Sequence, residues 1–394
     1  MIAFGEAFAI VRSAAAPTLG TECIPLTTAA GRFLAAPVKA RIDAPRADVS
    51  TMDGYAVREV DLAGLPRRLR VVGEAFPGTP FPYPVKSGTC VRILTGAAVP
   101  QSADRIVIQE VVQREADEAM FADAPAPPRF IRRRGSDFAK GDVLVEAGRR
   151  LDARALVAAA AGDVDQVEVT RRPRVAIVAT GDELCLPGMA STTPFAIPES
   201  ITPGLAALAT RCGAEVVDTR MLADDLETMR ASVAGCLPTV DVIVVTGGAS
   251  VGTRDFAKEM FAGLELLFSK VAIKPGKPVW LGRAGGKLVM GLPGNPTSAL
   301  VTARLLLTPL LVGMAGGDAA ASVRWRTAAL ATPMDAGSDR ETFWRAREVD
   351  GRVALIANQD SGAQRSLAEA DLLVRQPIRA PELAPGDEVF VIDF

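Results

Sequence analysis

The sequence predicts a multidomain α/β protein: a doubly wound α/β domain, a helical domain with an inserted β domain, and a small C-terminal β domain. Three observations carry this. Between residues 172 and 318, buried-strand runs alternate with helical patterns, which implies a sheet covered on both faces. Between 45 and 131, short β-prone runs are separated by Pro and Gly clusters such as Phe76-Pro77-Gly78-Thr79-Pro80. At 394 residues the chain exceeds one ordinary domain, and its 49% hydrophobic content can fill several cores.

Taken in order, Phe4, Ala7, Phe8 and Val11 recur at helical spacing and predict an N-terminal helix. A second helix is expected over 28–36, with Thr27 as its N-cap. These form the first segment of the helical domain, 1–44. Its second segment, 132–171, contains a helix over 153–161 that is expected to pack back on the first two. Within the β insertion the strand candidates are 69–72, 90–94 and 105–109. In the α/β unit they are 174–180, 215–218, 241–246, 270–273 and 288–291. Helices are expected after Pro203, over 225–236 and after Pro296. The stretch 299–317 is apolar enough to suggest a membrane span, but Arg304 and Pro309 interrupt it and a buried helix is the better reading. From 319 to 394 the short runs 323–330, 342–349, 353–356 and 388–392 predict the C-terminal β domain.

Composition narrows the chemistry. The 44 basic and 46 acidic residues give a net charge of -2, without the basic excess of a nucleic-acid binder. The 5 cysteines are scattered and form no Cys-x-x-Cys pair, so free thiols in a reducing cytoplasm are expected. The N-terminus lacks the basic start of a signal peptide. The chain has 0 histidines, which removes every Ser-His and Cys-His dyad. Chemistry must run on carboxylates, lysine, arginine, hydroxyls and backbone dipoles, and any metal should be a hard, oxygen-bound cation such as magnesium.

Ligands of open α/β sheets bind beyond the carboxyl ends of the strands. Three loops fall there: Thr180-Gly181-Asp182-Glu183, the run from Thr246-Gly247-Gly248 through Ser250 to Gly252, and Gly291-Leu292-Pro293-Gly294-Asn295-Pro296. Two are glycine-bearing turns into helices, where free N–H groups and the helix dipole favour an anion. Asp182, Glu183, Asp224 and Asp255 are the candidate metal ligands in the same layer. Asp224, Asp225 and Asp255 have a second reading as helix caps. Lys270 and Lys274 alternate with Val271 and Ile273, so they share one strand face, with Lys277 close by. They form either a solvated rim or an anion site. Outside this unit, Met52-Asp53-Gly54-Tyr55 and Arg132-Arg133-Arg134-Gly135-Ser136-Asp137 read as surface loops, the second also suited to an anion.

These motifs, with Leu94-Thr95-Gly96-Ala97 and Ala272-Ile273-Lys274-Pro275-Gly276-Lys277-Pro278, resemble in order those of the molybdopterin molybdenumtransferases, the MoeA-like family related to the C-terminal domain of gephyrin. The resemblance implies that the α/β domain binds molybdopterin and that the chain forms a homodimer. It also implies magnesium-dependent cleavage of adenylylated molybdopterin with insertion of molybdate, yielding molybdenum cofactor and AMP. A molybdopterin adenylyltransferase and molybdoenzyme maturation proteins are the partners it suggests, with no nucleic acid and no membrane. By the same carry-over Asp53, Glu183, Asp255, Lys270 and Lys274 are the catalytic candidates. Thr95, Arg132, Asp137, Gly247, Gly248, Ser250, Lys277, Pro293, Asn295 and Ser361 are the substrate contacts, with Asp53, Thr95 and Asp137 reaching in from the partner subunit. One stretch departs from the pattern: Ile197-Pro198-Glu199-Ser200 stands where the family usually shows Asp, then Ser or Thr, then Asn. That change is expected to remove polar groups from a ligand edge and to stiffen the loop through Pro198. It keeps two other readings open, an adenylyltransferase and a catalytically weak pterin-binding scaffold.

Overall fold

The computed structural model describes residues 1–15, 19–247 and 256–394. Three six-stranded sheets organise them. In the α/β sheet Glu215–Leu222, Arg174–Thr180, Val242–Thr246 and Lys287–Leu292 lie side by side and parallel. Trp280–Ala284 and Glu265–Phe268 extend the sheet antiparallel beyond them. Arg174–Thr180 is buried from its second residue on and Val242–Thr246 throughout, as expected of strands covered on both faces.

The period of two sends alternate side chains to opposite cores. Val175, Ile177, Val242 and Val244 pack with the helix Ile201–Arg211 and the long helix after Pro296. Ala176, Val178, Ile243 and Val245 pack with Leu226–Cys236 and Trp280 on the other face. At Gly291 an added Cβ would lie 2.0 Å from the Trp280 ring, so the indole rests directly on that strand. The helix Pro296–Met314 passes the length and hydropathy test for a membrane span, yet 89% of it is buried inside the protein. Pro309 cannot donate to the carbonyl four residues back, and Ala303–Leu307 just before it widens into a π turn that accommodates the break.

The N-terminal region differs from expectation. Phe4–Ala14 is a helix, but its buried face (Phe4, Ala7, Val11) joins the α/β core. The second helix does not form. Leu26–Thr28 is a single 3-10 turn, Gly31 takes φ +76°, and Phe33 and Leu34 bridge laterally to Arg150 and Val169. Arg32, only 7% exposed, reaches Glu22 at 2.5 Å and the Thr170 carbonyl at 2.8 Å, interactions that compete with a local helix. Ala153–Ala161 is helical, capped by Asp152, and packs with the antiparallel ladder of Thr21–Pro25 and Gln166–Thr170 instead of with the N-terminal helix.

The inserted sheet runs Arg105–Ile108, Gly54–Val57, Thr89–Ile93, Arg67–Ala75, Glu118–Phe121 and Val112–Glu115. The C-terminal sheet contains Arg326–Ala329, Glu341–Val349, Leu372–Gln376 and Glu388–Asp393, with Arg352–Leu355 paired to the second of these. Its sixth strand is Ile273–Lys274, which pairs parallel with Glu341–Val349. The run expected as α/β strand 270–273 therefore contributes to the neighbouring sheet.

Candidate active site

A cavity of about 700 Å³ opens where the parallel strands end. Thr180 and Thr246 close two adjacent strands, and the Thr180 hydroxyl donates to the Thr246 carbonyl at 3.3 Å. Gly247 follows at φ +87°, where a Cβ would come within 2.4 Å of the Thr180 carbonyl oxygen. A Cβ on Gly294 would sit 3.3 Å from the Gly247 Cα. Glycine at these positions lets three strand-end loops pack backbone against backbone. Pro293, Gly294, Asn295 and Pro296 line the cavity at the start of the long helix, where N–H groups lack intrahelical partners.

Acids line the same cavity. Glu183 folds back over Gly181, so a Cβ there would meet its two carboxylate oxygens at 2.6 and 2.8 Å. Asp182 accepts the Asp224 backbone N–H at 2.9 Å, tying the two acidic loops together. Glu183 and Asp224 line the cavity. Asp225 takes its other reading: it caps Leu226–Cys236 by accepting from Thr228 N at 2.8 Å, and its bonds to Thr228 hold its carboxyl below the usual range. Among the described residues no group of three or more His, Cys, Asp or Glu is placed to hold a metal. Two carboxylates beside an anion cradle nonetheless fit magnesium, which takes few protein ligands and completes its shell with water and phosphate. Gly248, Ser250 and Asp255 lie outside the described residues.

The C-terminal sheet contributes in the same chain. Asn295 Nδ2 donates to Ser361 Oγ at 2.9 Å, and Gly362 and Gln364 line the cavity. Behind this loop lies Arg345, a residue the sequence reading missed. It is 0% exposed, and Nη2 donates to the Asn358 and Asp360 carbonyls at 3.0 and 3.1 Å. Gln359 adds bonds to both backbone groups of Arg345, so guanidinium and amide together fix the Ser361 loop. Arg345 Nε and Nη1 are buried with no partner among the described residues, and desolvation lowers the arginine's pKa. A charged residue inside the strand run Phe343-Trp344-Arg345-Ala346 was the available signal.

Other expected residues lie apart from this cavity. Asp53 and Thr95 are paired on the inserted domain: Asp53 Oδ1 accepts from Thr95 N at 2.7 Å and Thr95 Oγ1 at 2.8 Å. Those bonds hold the Asp53 carboxyl below its ordinary value. In the arginine cluster, Arg133 and Arg134 are committed to Asp48 and Asp43, each at 2.5 Å. Asp48 also accepts Arg134 N at 2.9 Å, and Asp43 accepts Lys140 N at 2.7 Å. Arg132 and Asp137 remain exposed. Lys270, Lys274 and Lys277 are exposed while Val271 and Ile273 are buried, so the expected alternation is present. Of that segment, Pro278 lines the cavity.

The departing stretch keeps a carboxylate. Ile197–Pro198 pairs with Leu184–Cys185, and Ile197 N donates to the Glu183 carbonyl at 2.7 Å. Glu199, 7% exposed, then accepts from Ile201 N and Thr202 N, both at 3.0 Å. The expected removal of polar groups at this edge is therefore only partial: Glu199 keeps a carboxylate that caps the helix and lines the cavity, while apolar Ile201 stands where the family shows Asn.

Comparison with known proteins fits this geometry. Residues 2–162 match the MoeA N-terminal region (domain I and II), 176–312 a probable molybdopterin binding domain, and 327–394 the MoeA C-terminal region (domain IV). The chain belongs to the MoeA family. Proteins named molybdopterin molybdenumtransferase from Nostoc sp. and Synechococcus elongatus are 32% and 34% identical to it, covering 94% and 95% of this chain and 88% and 94% of theirs. A crystal structure of a molybdopterin biosynthesis MoeA protein from Pyrococcus horikoshii superposes with a TM-score of 0.82 at 31% identity, covering 99% of this chain and 98% of that one. As a member of this family of transferases the chain is an enzyme of molybdenum cofactor biosynthesis, and the family's multidomain α/β architecture is the one described above.

Proposed function

We propose that this enzyme takes adenylylated molybdopterin and molybdate at the strand-end cavity, opens the phosphoanhydride, and releases molybdenum cofactor and AMP. The observation that carries the reading is the cavity wall itself. Two glycine turns and a helix start form an anion cradle, and Glu183 and Asp224 stand beside it. The cradle would hold the anhydride phosphates through backbone N–H groups, which need no reorganisation as charge develops. Glu183 and Asp224, with Asp182 behind them, would hold magnesium, which supplies charge neutralisation on the phosphate oxygens. Gly248 and Ser250 as further phosphate contacts, and Asp255 as a further acid, belong to this reading from the sequence alone. Ser361, held against Asn295, closes the C-terminal side.

Lys270, Lys274 and Lys277 present three exposed cations to a dianionic oxyanion such as molybdate. Asp53, Thr95, Arg132 and Asp137 line no part of the cavity within one chain. In this reading they serve the site of a second copy, which makes the working form a homodimer. The five free thiols suit a reducing cytoplasm.

The test is AMP release from adenylylated molybdopterin, with magnesium, with and without molybdate, for the wild type and Asp255→Ala. Molybdate-dependent release that collapses in the variant is expected. A wild type that binds the substrate and releases no AMP refutes the reading in favour of a scaffold. AMP transfer from ATP to molybdopterin would identify an adenylyltransferase instead.

A further inference from the structure

The cavity has two chemically different ends. One is the cradle of Gly247, Gly294 and Asn295. At the other, Leu184, Ile197, Pro198 and Ile201 provide apolar surface around Glu199. The paired segments Leu184–Cys185 and Ile197–Pro198 hold this end together. Glu199 is 93% buried by difference from its 7% exposure. Its Oε1 accepts both helix N–H groups at 3.0 Å, which fills that oxygen's two lone pairs. Among the described residues Oε2 has no partner. Glu199 lines the cavity, so this oxygen is left to accept from a bound ligand, and a ligand that presents no donor there forfeits a charge-assisted hydrogen bond.

We propose that Glu199 is the residue that selects and orients the pterin ring, by accepting hydrogen bonds at Oε2 from the ring's adjacent N3–H and 2-amino donors. The inference rests on the transferase reading for the identity of the substrate. Apolar walls suit a flat heterocycle, and a single acceptor among them discriminates by pairing, because a mismatched ring leaves that acceptor unpaired. Adenine, the other ring of the same substrate, sets an acceptor nitrogen beside its amino group and would face the carboxylate with a repelling lone pair. The two-headed substrate therefore enters in one orientation, with pterin at Glu199 and phosphates on the glycine cradle. The acid that departs from the family's pattern is thereby given a specificity role.

Glu199→Gln tests this without uncapping the helix. Its amide oxygen still accepts both N–H groups, while its NH2 replaces Oε2 and turns the acceptor into a donor. The probes are pterin and lumazine, which carries an oxo group in place of the 2-amino group. Both are titrated by their own fluorescence against the full-length protein, with AMP as a third ligand. The wild type is expected to prefer pterin over lumazine by about tenfold or more, and Glu199→Gln to lose that preference at an unchanged unfolding midpoint. Glu199→Ala, which also removes the cap, is expected to lose both selectivity and stability. An equal pterin-to-lumazine ratio in wild type and Glu199→Gln overturns the proposal. So does a wild type that binds neither ring at millimolar concentration, or a substitution that alters AMP binding alone. These titrations involve no turnover, so selectivity for pterin without AMP release would sink the transferase reading and leave this one standing.

Discussion

Replacing Gly247 by alanine tests how the cavity is built. At φ +87° an alanine is in the left-handed region, at a cost of about 1–2 kcal/mol. Its Cβ would also lie 2.4 Å from the Thr180 carbonyl oxygen and 2.8 Å from the Thr180 hydroxyl, where ordinary contact begins at 3.4 Å. The loop must therefore retreat by about 1 Å, the difference between 3.4 and 2.4 Å. Strain and displacement together should destabilise the protein by about 2–4 kcal/mol. A 1 Å misplacement of the cradle should lower turnover by on the order of 100-fold. Gly235→Ala is the control. That glycine is exposed in the helix Leu226–Cys236 with nothing within 4 Å of an added Cβ, so the change should stabilise by about 0.5–1 kcal/mol. Urea midpoints and molybdate-dependent AMP release are measured for both. A Gly247→Ala protein that unfolds and turns over like the wild type would refute the claim that backbone contact shapes the site.

Three further outcomes follow from particular contacts. Asn295→Ala and Ser361→Ala should each cost about 1 kcal/mol, and a double-mutant cycle should show them coupled, because both remove one bond between the α/β unit and the C-terminal loop. Burial pushes the Cys90 thiol from 9.0 up to about 12. The unfolded chain ionises first, so this stabilisation is complete below pH 9.0 and is lost as pH rises toward 12. The urea stability of the wild type relative to Cys90→Val should then fall by about 2 kcal/mol between pH 9 and 10.5, and parallel curves would contradict it. At Asp48, the Arg134 backbone bond and then the Arg133 side chain hold the carboxyl below 3.8. Protection of the Arg134 amide from hydrogen exchange should be present above pH 3.8, fade as pH falls through the lower folded value, and be absent in Asp48→Ala at neutral pH.

The α/β unit was legible because its parallel strands are continuous β-branched runs and its loops carry glycine where backbones meet. Val242–Thr246 and the Asp225 cap could be read from local spacing alone. The helix expected over 28–36 failed because its competitors are distant in sequence: Glu22, Arg150 and Val169 claim Arg32, Phe33 and Leu34. The strands Glu265–Phe268, Trp280–Ala284 and Leu372–Gln376 escaped notice for a related reason, since each is defined by partners on other segments. At the site, acids and glycines in loops were visible. Arg345 and Glu199 were not, because what distinguishes them is burial and hydrogen bonding that no spacing rule encodes.

The two-residue strand Ile273–Lys274 has a consequence for how the enzyme comes apart. It is encoded within the α/β segment yet supplies an outer strand to the C-terminal sheet, and beside it the Phe4 and Phe343 rings meet edge to face at 5.1 Å. A chain ending near residue 318 would leave this strand without its Glu341–Val349 partner and strip Phe4 of the Phe343 ring, leaving it only the Phe8 ring at 6.0 Å among the described aromatic contacts. The two regions are thus grafted, each incomplete without the other. Hydrogen exchange should find their amides opening together as one cooperative unit, and evolution could not have traded the C-terminal module freely without also rewriting the lysine-bearing turn that holds it.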